Sequence, residues 1–237
     1  MLAVVLSLFS ASAYGVSDFV GGVASRKVEA LRVVLVSYPV SAVVIAAAAL
    51  FAGGTPTPNA IVWGTASGVV MALAMLWFYQ ALSDGPMSIV SPTTAIIVAA
   101  LPAAVGIIGG ERPPVIAYVG IALALVAVVL VSRESKTRGA LQQERRFTAR
   151  VAWLTVGAGT FFALSFVFTH QITPGTGLWP LVAARAVASC EIVVIAAARK
   201  QATLPPFRLG RLAVSIGLLD VVANLTMLCS MPSKTVC

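Results

Sequence analysis

Long apolar stretches alternate along this chain with short polar breaks. Eight stretches are long enough to cross a bilayer as helices, which takes about 20 residues each: Leu2–Val23, Leu31–Ala52, Ala60–Leu82, Met87–Gly109, Pro114–Ser132, Val151–Ile172, Gly177–Ala198 and Leu212–Met231. Turn-forming residues separate them, as in Gly53-Gly54-Thr55-Pro56, Asp84-Gly85-Pro86, Pro113-Pro114, Thr173-Pro174-Gly175 and Pro205-Pro206. Barrel strands would alternate over about 10 residues, whereas these runs are continuous and longer. The pattern therefore predicts an all-α, polytopic membrane helix bundle. Helices suit that setting because each keeps its backbone hydrogen bonds within the segment. Pro39, Pro92, Pro102 and Pro180 fall inside the runs and are expected to kink them.

Composition agrees with the pattern. Of the 237 residues 59% are hydrophobic and 10% charged, with mean hydropathy +0.98. A soluble domain carries about 25% charged residues, so lipid must cover much of this surface. The net charge of +8 would elsewhere suggest nucleic acid, but here the basic residues sit in short loops between apolar runs. Arg26, Lys27 and Arg32 follow the first run. Arg133, Lys136, Arg138, Arg145, Arg146 and Arg150 follow the fifth, and Arg199, Lys200, Arg208 and Arg211 the seventh. Loops after odd-numbered runs share one side of the membrane. The positive-inside rule makes that side cytoplasmic and puts Met1 outside, in a cell (inner) membrane. Cys190, Cys229 and Cys237 form no disulfide framework and no metal-ligand spacing. The first run lacks the basic start and cleavage site of a removable signal peptide.

The chain also resembles itself. Ser12–Ser17 falls on Thr160–Ser165, Leu31-Arg32 near Ala184-Arg185, and Gly68–Ala74 on Gly217–Ala223. The expected organisation is a first five-helix repeat over 1–132, a basic cytoplasmic linker over 133–150, and a partial second repeat over 151–237. Five helices is an odd number, so the second copy is inverted. It is also short, giving about eight helices of ten.

These features resemble a known family. Ala13-Tyr-Gly-Val-Ser-Asp-Phe19, Phe78-Tyr-Gln-Ala-Leu-Ser-Asp-Gly-Pro86, Val90-Ser-Pro92, Leu101-Pro102 and Gly110-Glu-Arg112 are similar in order to the EamA-type branch of the drug/metabolite transporter superfamily. Gly177-Leu-Trp-Pro180, Ala184-Arg185 and Leu219-Asp-Val-Val-Ala-Asn224 continue the likeness. The resemblance implies ten helices in two repeats. It also implies secondary transport, usually export, of small metabolites, amino acids or toxic organic compounds. Family members commonly have both termini in the cytoplasm, whereas the charge pattern here puts Met1 outside. After Leu225 the family pattern is lost in Met227–Cys237. That ending reads as a truncation, which would leave the chain inactive or dependent on a second copy or complementing chain.

A charge at membrane depth costs at least a few kcal/mol, so each needs a partner, a wet cavity or a task. Asp18, with Tyr14 one turn away, reads as a proton- or cation-linked carboxylate or as an interfacial acid. Asp220 and Asn224 read as a polar patch on a cavity or as a hydrogen bond between helices. Arg185 reads as one half of a structural salt bridge, with Asp220 or Asp18 opposite, or as a binder of substrate anions. Glu191 lies on a different face of that helix. Trp77 and Tyr79 read as an interfacial aromatic belt or as a substrate gate. Lone His170 reads as a wet helix end, and Glu111 as a local partner of Arg112.

The expected pathway residues are thus Tyr14, Asp18, Trp77, Tyr79, Arg185, Asp220 and Asn224. The expected partners are the lipid bilayer and a small-molecule substrate, with a proton or cation as candidate coupling ion. No cofactor, metal or nucleic acid is expected. The sequence has no G-x-x-x-x-G-K-[ST] loop, which excludes ATP-driven pumping by this chain alone. A membrane-embedded lipid-modifying enzyme is the alternative class. It would need clustered acids or histidines at one membrane face, and the chain has one histidine and scattered acids.

Overall fold

The computed structural model describes residues 2–110, 112, 146–200 and 206–230, and between them 115–116, 118–120, 122–123, 126–127 and 130. Seven helices are defined among the described residues: α1 Leu2–Ser25, α2 Ala30–Ala52, α3 Pro58–Asp84, α4 Met87–Ile108, α5 Ala149–His170, α6 Trp179–Ala198 and α7 Phe207–Ser230. All seven are long and apolar enough to cross a membrane. Among the described residues there is no strand, and those between 115 and 130 are helical, in keeping with the predicted fifth run. Glu111, most of the 133–150 segment and the tail after Ser230 lie outside the described residues.

Helix starts follow local chemistry. Thr57 accepts a hydrogen bond from the Ala60 amide (3.2 Å) and Pro58 begins α3. Thr148 caps α5 through the Val151 amide at 3.3 Å. Both threonines occupy the position where a side-chain oxygen satisfies an orphan N–H. Pro39, Pro92 and Pro102 lie inside their helices as expected. Pro180 does not: it stands in the first turn of α6, where its missing N–H would have no partner in any case. The last helix begins at Phe207, five residues before the apolar run, because the Pro206 carbonyl oxygen accepts from the Leu209 and Gly210 amides.

The helices pack across the chain rather than along it. α1 lies mainly on α7, α3 on α5 and α6, α2 on α6 and α7, and α4 on α5. Small residues permit the close approaches, as membrane packing requires. A β-carbon on Gly68 would meet the Ala184 Cα at 2.7 Å, and one on Gly217 the Ser37 carbonyl oxygen at 2.6 Å. Large apolar side chains such as Phe51, Ile108 and Trp153 point outward, as lipid-facing residues must.

Two ends can be told apart. At one, Arg26 donates to the Leu82 and Gly85 carbonyl oxygens (3.2 and 3.3 Å), and Arg150 lies 3.9 Å from Asp84. At the other, Trp179 Nε1 donates to the Gly54 carbonyl oxygen (3.2 Å), and Thr173 N–H to Asn59 Oδ1 (3.0 Å). Since α6 starts at this second end, Arg199 and Lys200 after it lie at the first. Apart from Arg112, which follows α4 at the second end, the described basic loop residues therefore gather at the first end, as the sequence predicts.

Contacts between helices come in two similar sets. Ser17 Oγ donates to the Ile216 carbonyl oxygen at 3.3 Å, and Ser67 Oγ to the Ser165 carbonyl oxygen, also at 3.3 Å. Exchanging the two sets pairs Ser17 with Ser165 and Ser67 with Ile216. Gly68 faces Ala184 as Gly217 faces Ser37, so the same exchange sets Tyr38 against Arg185.

Candidate functional site

Arg185 and Asp220 meet in the middle of the bundle. Arg185 lies roughly 9 Å along α6, and Asp220 roughly 20 Å along α7, at about 1.5 Å per residue. Arg185 Nη2 donates to Asp220 Oδ1 at 2.8 Å, and both side chains are buried. Ser41 Oγ donates to Asp220 Oδ2 (2.8 Å), and Asn224 Nδ2 to Asp220 Oδ1 (3.1 Å). The guanidinium carbon of Arg185 stands 5.0 Å from the centre of the Tyr38 ring, close enough for a cation–π contact. Tyr38 in turn donates to the Met71 carbonyl oxygen at 3.3 Å. Such a pair holds at membrane depth because every charge has a partner and the carboxylate has three donors.

Two cavities lie on either side of this pair. The larger, about 380 Å³, runs between α3, α5 and α6 and reaches the end formed by Gly54 and residues 172–177. Its wall carries Arg185, Asn224 and Tyr14, with a hydroxyl cluster of Ser67, Ser165 and Thr169. Ser67 Oγ lies 2.9 Å from Ser165 Oγ and 3.2 Å from Thr169 Oγ1. The smaller, about 20 Å³, is lined by Tyr14, Ser17, Asp18, Tyr38, Tyr79 and Asp220, among others. That is space for about one water. Asp18 and Tyr79 lie near the basic ends of α1 and α3, so this chamber faces the basic end.

The two cavities share their construction. The hydrogen-bonding exchange that relates Ser17 to Ser165 and Gly217 to Gly68 also relates the chamber's wall to the cavity's wall. Tyr38 takes the place of Arg185 in it, and Ser37 that of Ala184. One is open and the other nearly filled.

The expected residues divide between them. Tyr14 lines both, Arg185 and Asn224 the larger, and Asp18, Tyr79 and Asp220 the smaller. Asp18 makes no hydrogen bond or ion pair among the described residues; the structure pairs Arg185 with Asp220 instead. Tyr79 is fully buried, with its hydroxyl lodged against Gly21 and lacking a hydrogen-bond partner among the described residues. That position does not fit an interfacial belt. Trp77 lines neither cavity; its ring packs against Gly157 and, edge-on at 5.2 Å between centroids, against Phe161. Glu191 is half-buried, with one carboxylate oxygen lacking a partner among the described residues, and His170 is exposed at the end of α5.

Sequence reasoning passed over Tyr38, Ser41, Ser67 and Thr169. A serine or threonine in an apolar helix commonly returns its hydroxyl to its own backbone, as Thr155 does to Val151. The usable signal was the repeat: Ser165 already stood opposite Ser17, and its partner across the bundle was Ser67. Among the described residues no group of His, Cys, Asp and Glu side chains could hold a metal ion.

No curated protein and no solved structure matches the chain. The profile of the EamA-like transporter family matches residues 1–133, more than half of the 237 residues, and the chain belongs to that family of multi-pass membrane transporters.

Proposed function

We propose that the protein is a secondary transporter that exports small metabolites or drug-like organic compounds across the cell (inner) membrane, with its basic end in the cytoplasm. One observation carries the reading: a buried ion pair divides two cavities of like construction, one open and one nearly filled. Inverted repeats let a transporter expose a midplane site to either side by exchanging the conformations of its halves. The five-helix unit over 1–132 and its partial, inverted counterpart over 151–237 supply the two halves. The larger cavity is then the substrate's path to the non-cytoplasmic side. The Asp18 chamber is the closed path to the cytoplasm. Tyr14 belongs to both paths, and Tyr79 fills the closed one. Asp18, in the chamber wall without a hydrogen-bonding partner among the described residues, takes the role of the proton- or cation-binding group.

The test is flux. Proteoliposomes loaded with a mixture of small metabolites and drug-like compounds are analysed by mass spectrometry for protein-dependent loss. Saturable loss of some components is expected, and Asp18→Asn should stop it without preventing membrane insertion. A chain that inserts and folds but releases nothing beyond protein-free vesicles contradicts the proposal.

A further inference from the structure

We infer that the larger cavity binds small organic carboxylates and discriminates against organic cations of the same size. The inference rests on the transport reading only for the movement of a ligand after it has bound. Its ground is the sign of the wall. Among the described residues lining this cavity, Arg185 is the one charged side chain, and no acid joins it. Asp220, which balances Arg185, lines the other chamber. A ligand in the larger cavity therefore meets the guanidinium with its counter-charge on the far side.

The guanidinium also has donors to spare. Arginine offers five N–H groups in a planar fork, and only Nη2 is engaged by Asp220. Its Nε is buried with no acceptor among the described residues. A buried donor left unpaired is costly, and an acceptor oxygen removes that cost. A carboxylate adds its own charge to the bond, and Arg–carboxylate hydrogen bonds are short, strong and often two-pronged. Planar, two-oxygen acceptors match its fork best. The Asn224 amide and the Ser67–Ser165–Thr169 hydroxyls add neutral polar contacts, which suit the remainder of a polar molecule. An ammonium ion has the opposite needs: it brings donors and a positive charge to a wall whose one charge among the described residues is positive.

Benzoate, benzamide and benzylammonium share size and shape and differ in charge, which makes them suitable probes. Binding is measured by saturation-transfer NMR to the full chain in lipid nanodiscs, with empty nanodiscs subtracted. Benzoate should bind at least about tenfold more tightly than benzamide, and benzylammonium should show no saturable binding. Arg185→Gln combined with Asp220→Asn, which leaves no buried charge unpaired, should erase the preference. Arg185→Lys should keep a smaller one. Ser12→Ala, whose exposed hydroxyl bonds only to its own helix at Leu8, should retain the full preference. Equal affinities for benzoate and benzamide, saturable benzylammonium binding, or a preference that survives the double substitution would each overturn the inference. Flux of the same probes is followed separately in vesicles. Benzoate binding without flux upholds the binding assignment and counts against the transport reading, whereas flux of benzylammonium in preference to benzoate does the reverse.

Discussion

Replacing one member of the Arg185–Asp220 pair should harm the protein far more than replacing both. The side chains are 3% and 10% exposed and 2.8 Å apart. Removing one partner of such a pair typically costs about 3–5 kcal/mol, because the other is left buried and uncompensated. The two single changes are not equivalent. Asp220→Asn leaves a guanidinium that cannot release its proton, beside a cavity wall with no other charge. Arg185→Gln leaves a carboxylate that still accepts from Ser41 and Asn224 and can take up a proton. Asp220→Asn is therefore expected at the upper end of that range, and Arg185→Gln at or below its lower end. The double variant keeps a neutral amide pair and should lose no more than about 2 kcal/mol. The resulting coupling, about 6 kcal/mol, lies above the roughly 0.5–3 kcal/mol usual for neighbouring residues, as a desolvated pair requires. Unfolding of all four proteins by sodium dodecyl sulfate in mixed micelles, monitored by tryptophan fluorescence, yields the cycle. Additive losses, or an Asp220→Asn variant within about 1 kcal/mol of the parent, would refute the claim that the pair is dry and mutually dependent.

Gly68→Ala and Gly217→Ala should each destabilise by about 1–3 kcal/mol, since their β-carbons would press on the backbones of Ala184 and Ser37. Gly15→Ala, with nothing within 4 Å, should be neutral or stabilise by up to about 1 kcal/mol through helix propensity; the same micelle assay ranks all three. Tyr79→Phe removes a buried hydroxyl that lacks a partner and should leave stability unchanged or raise it by about 1 kcal/mol, so a loss above that figure would reveal a partner for the hydroxyl in the membrane. A reporter active only in the cytoplasm should be active when fused after Arg146 and inactive when fused at Thr55, and the reverse pattern overturns the orientation.

The spans were legible because bilayer thickness imposes a length on every apolar run, and the basic loops mark one side independently. The buried charges were legible by the same logic: at membrane depth, Arg185 and Asp220 need each other. What could not be read was which face of each helix meets which neighbour. Arg185 had Asp18 and Asp220 as equal candidates until packing placed α6 beside α7's midpoint and Asp18 in a separate chamber. Tyr38 and Ser41 escaped notice because an aromatic ring and a hydroxyl are unremarkable in an apolar helix, and only the neighbouring charge gives them a task. Trp77 and Tyr79, two residues apart, looked like one cluster. On a helix they diverge by about 200°, and one meets α5 while the other enters the bundle.

The transport proposal requires two equivalent half-paths that open to opposite sides of the membrane. Ser17 and Ser165 occupy equivalent positions in the chamber and the cavity, which makes them the most direct probes. In a chain with Cys190, Cys229 and Cys237 changed to serine, Ser165→Cys and Ser17→Cys are each exposed to a membrane-impermeant maleimide from either side of oriented vesicles. The cysteine at 165 should react only from the side of the Gly53–Gly54 loop. The cysteine at 17 should react only from the basic side, and labelling either one should protect the other. Reaction of both from the same side, or no reaction of the cysteine at 17 from the basic side, would contradict it.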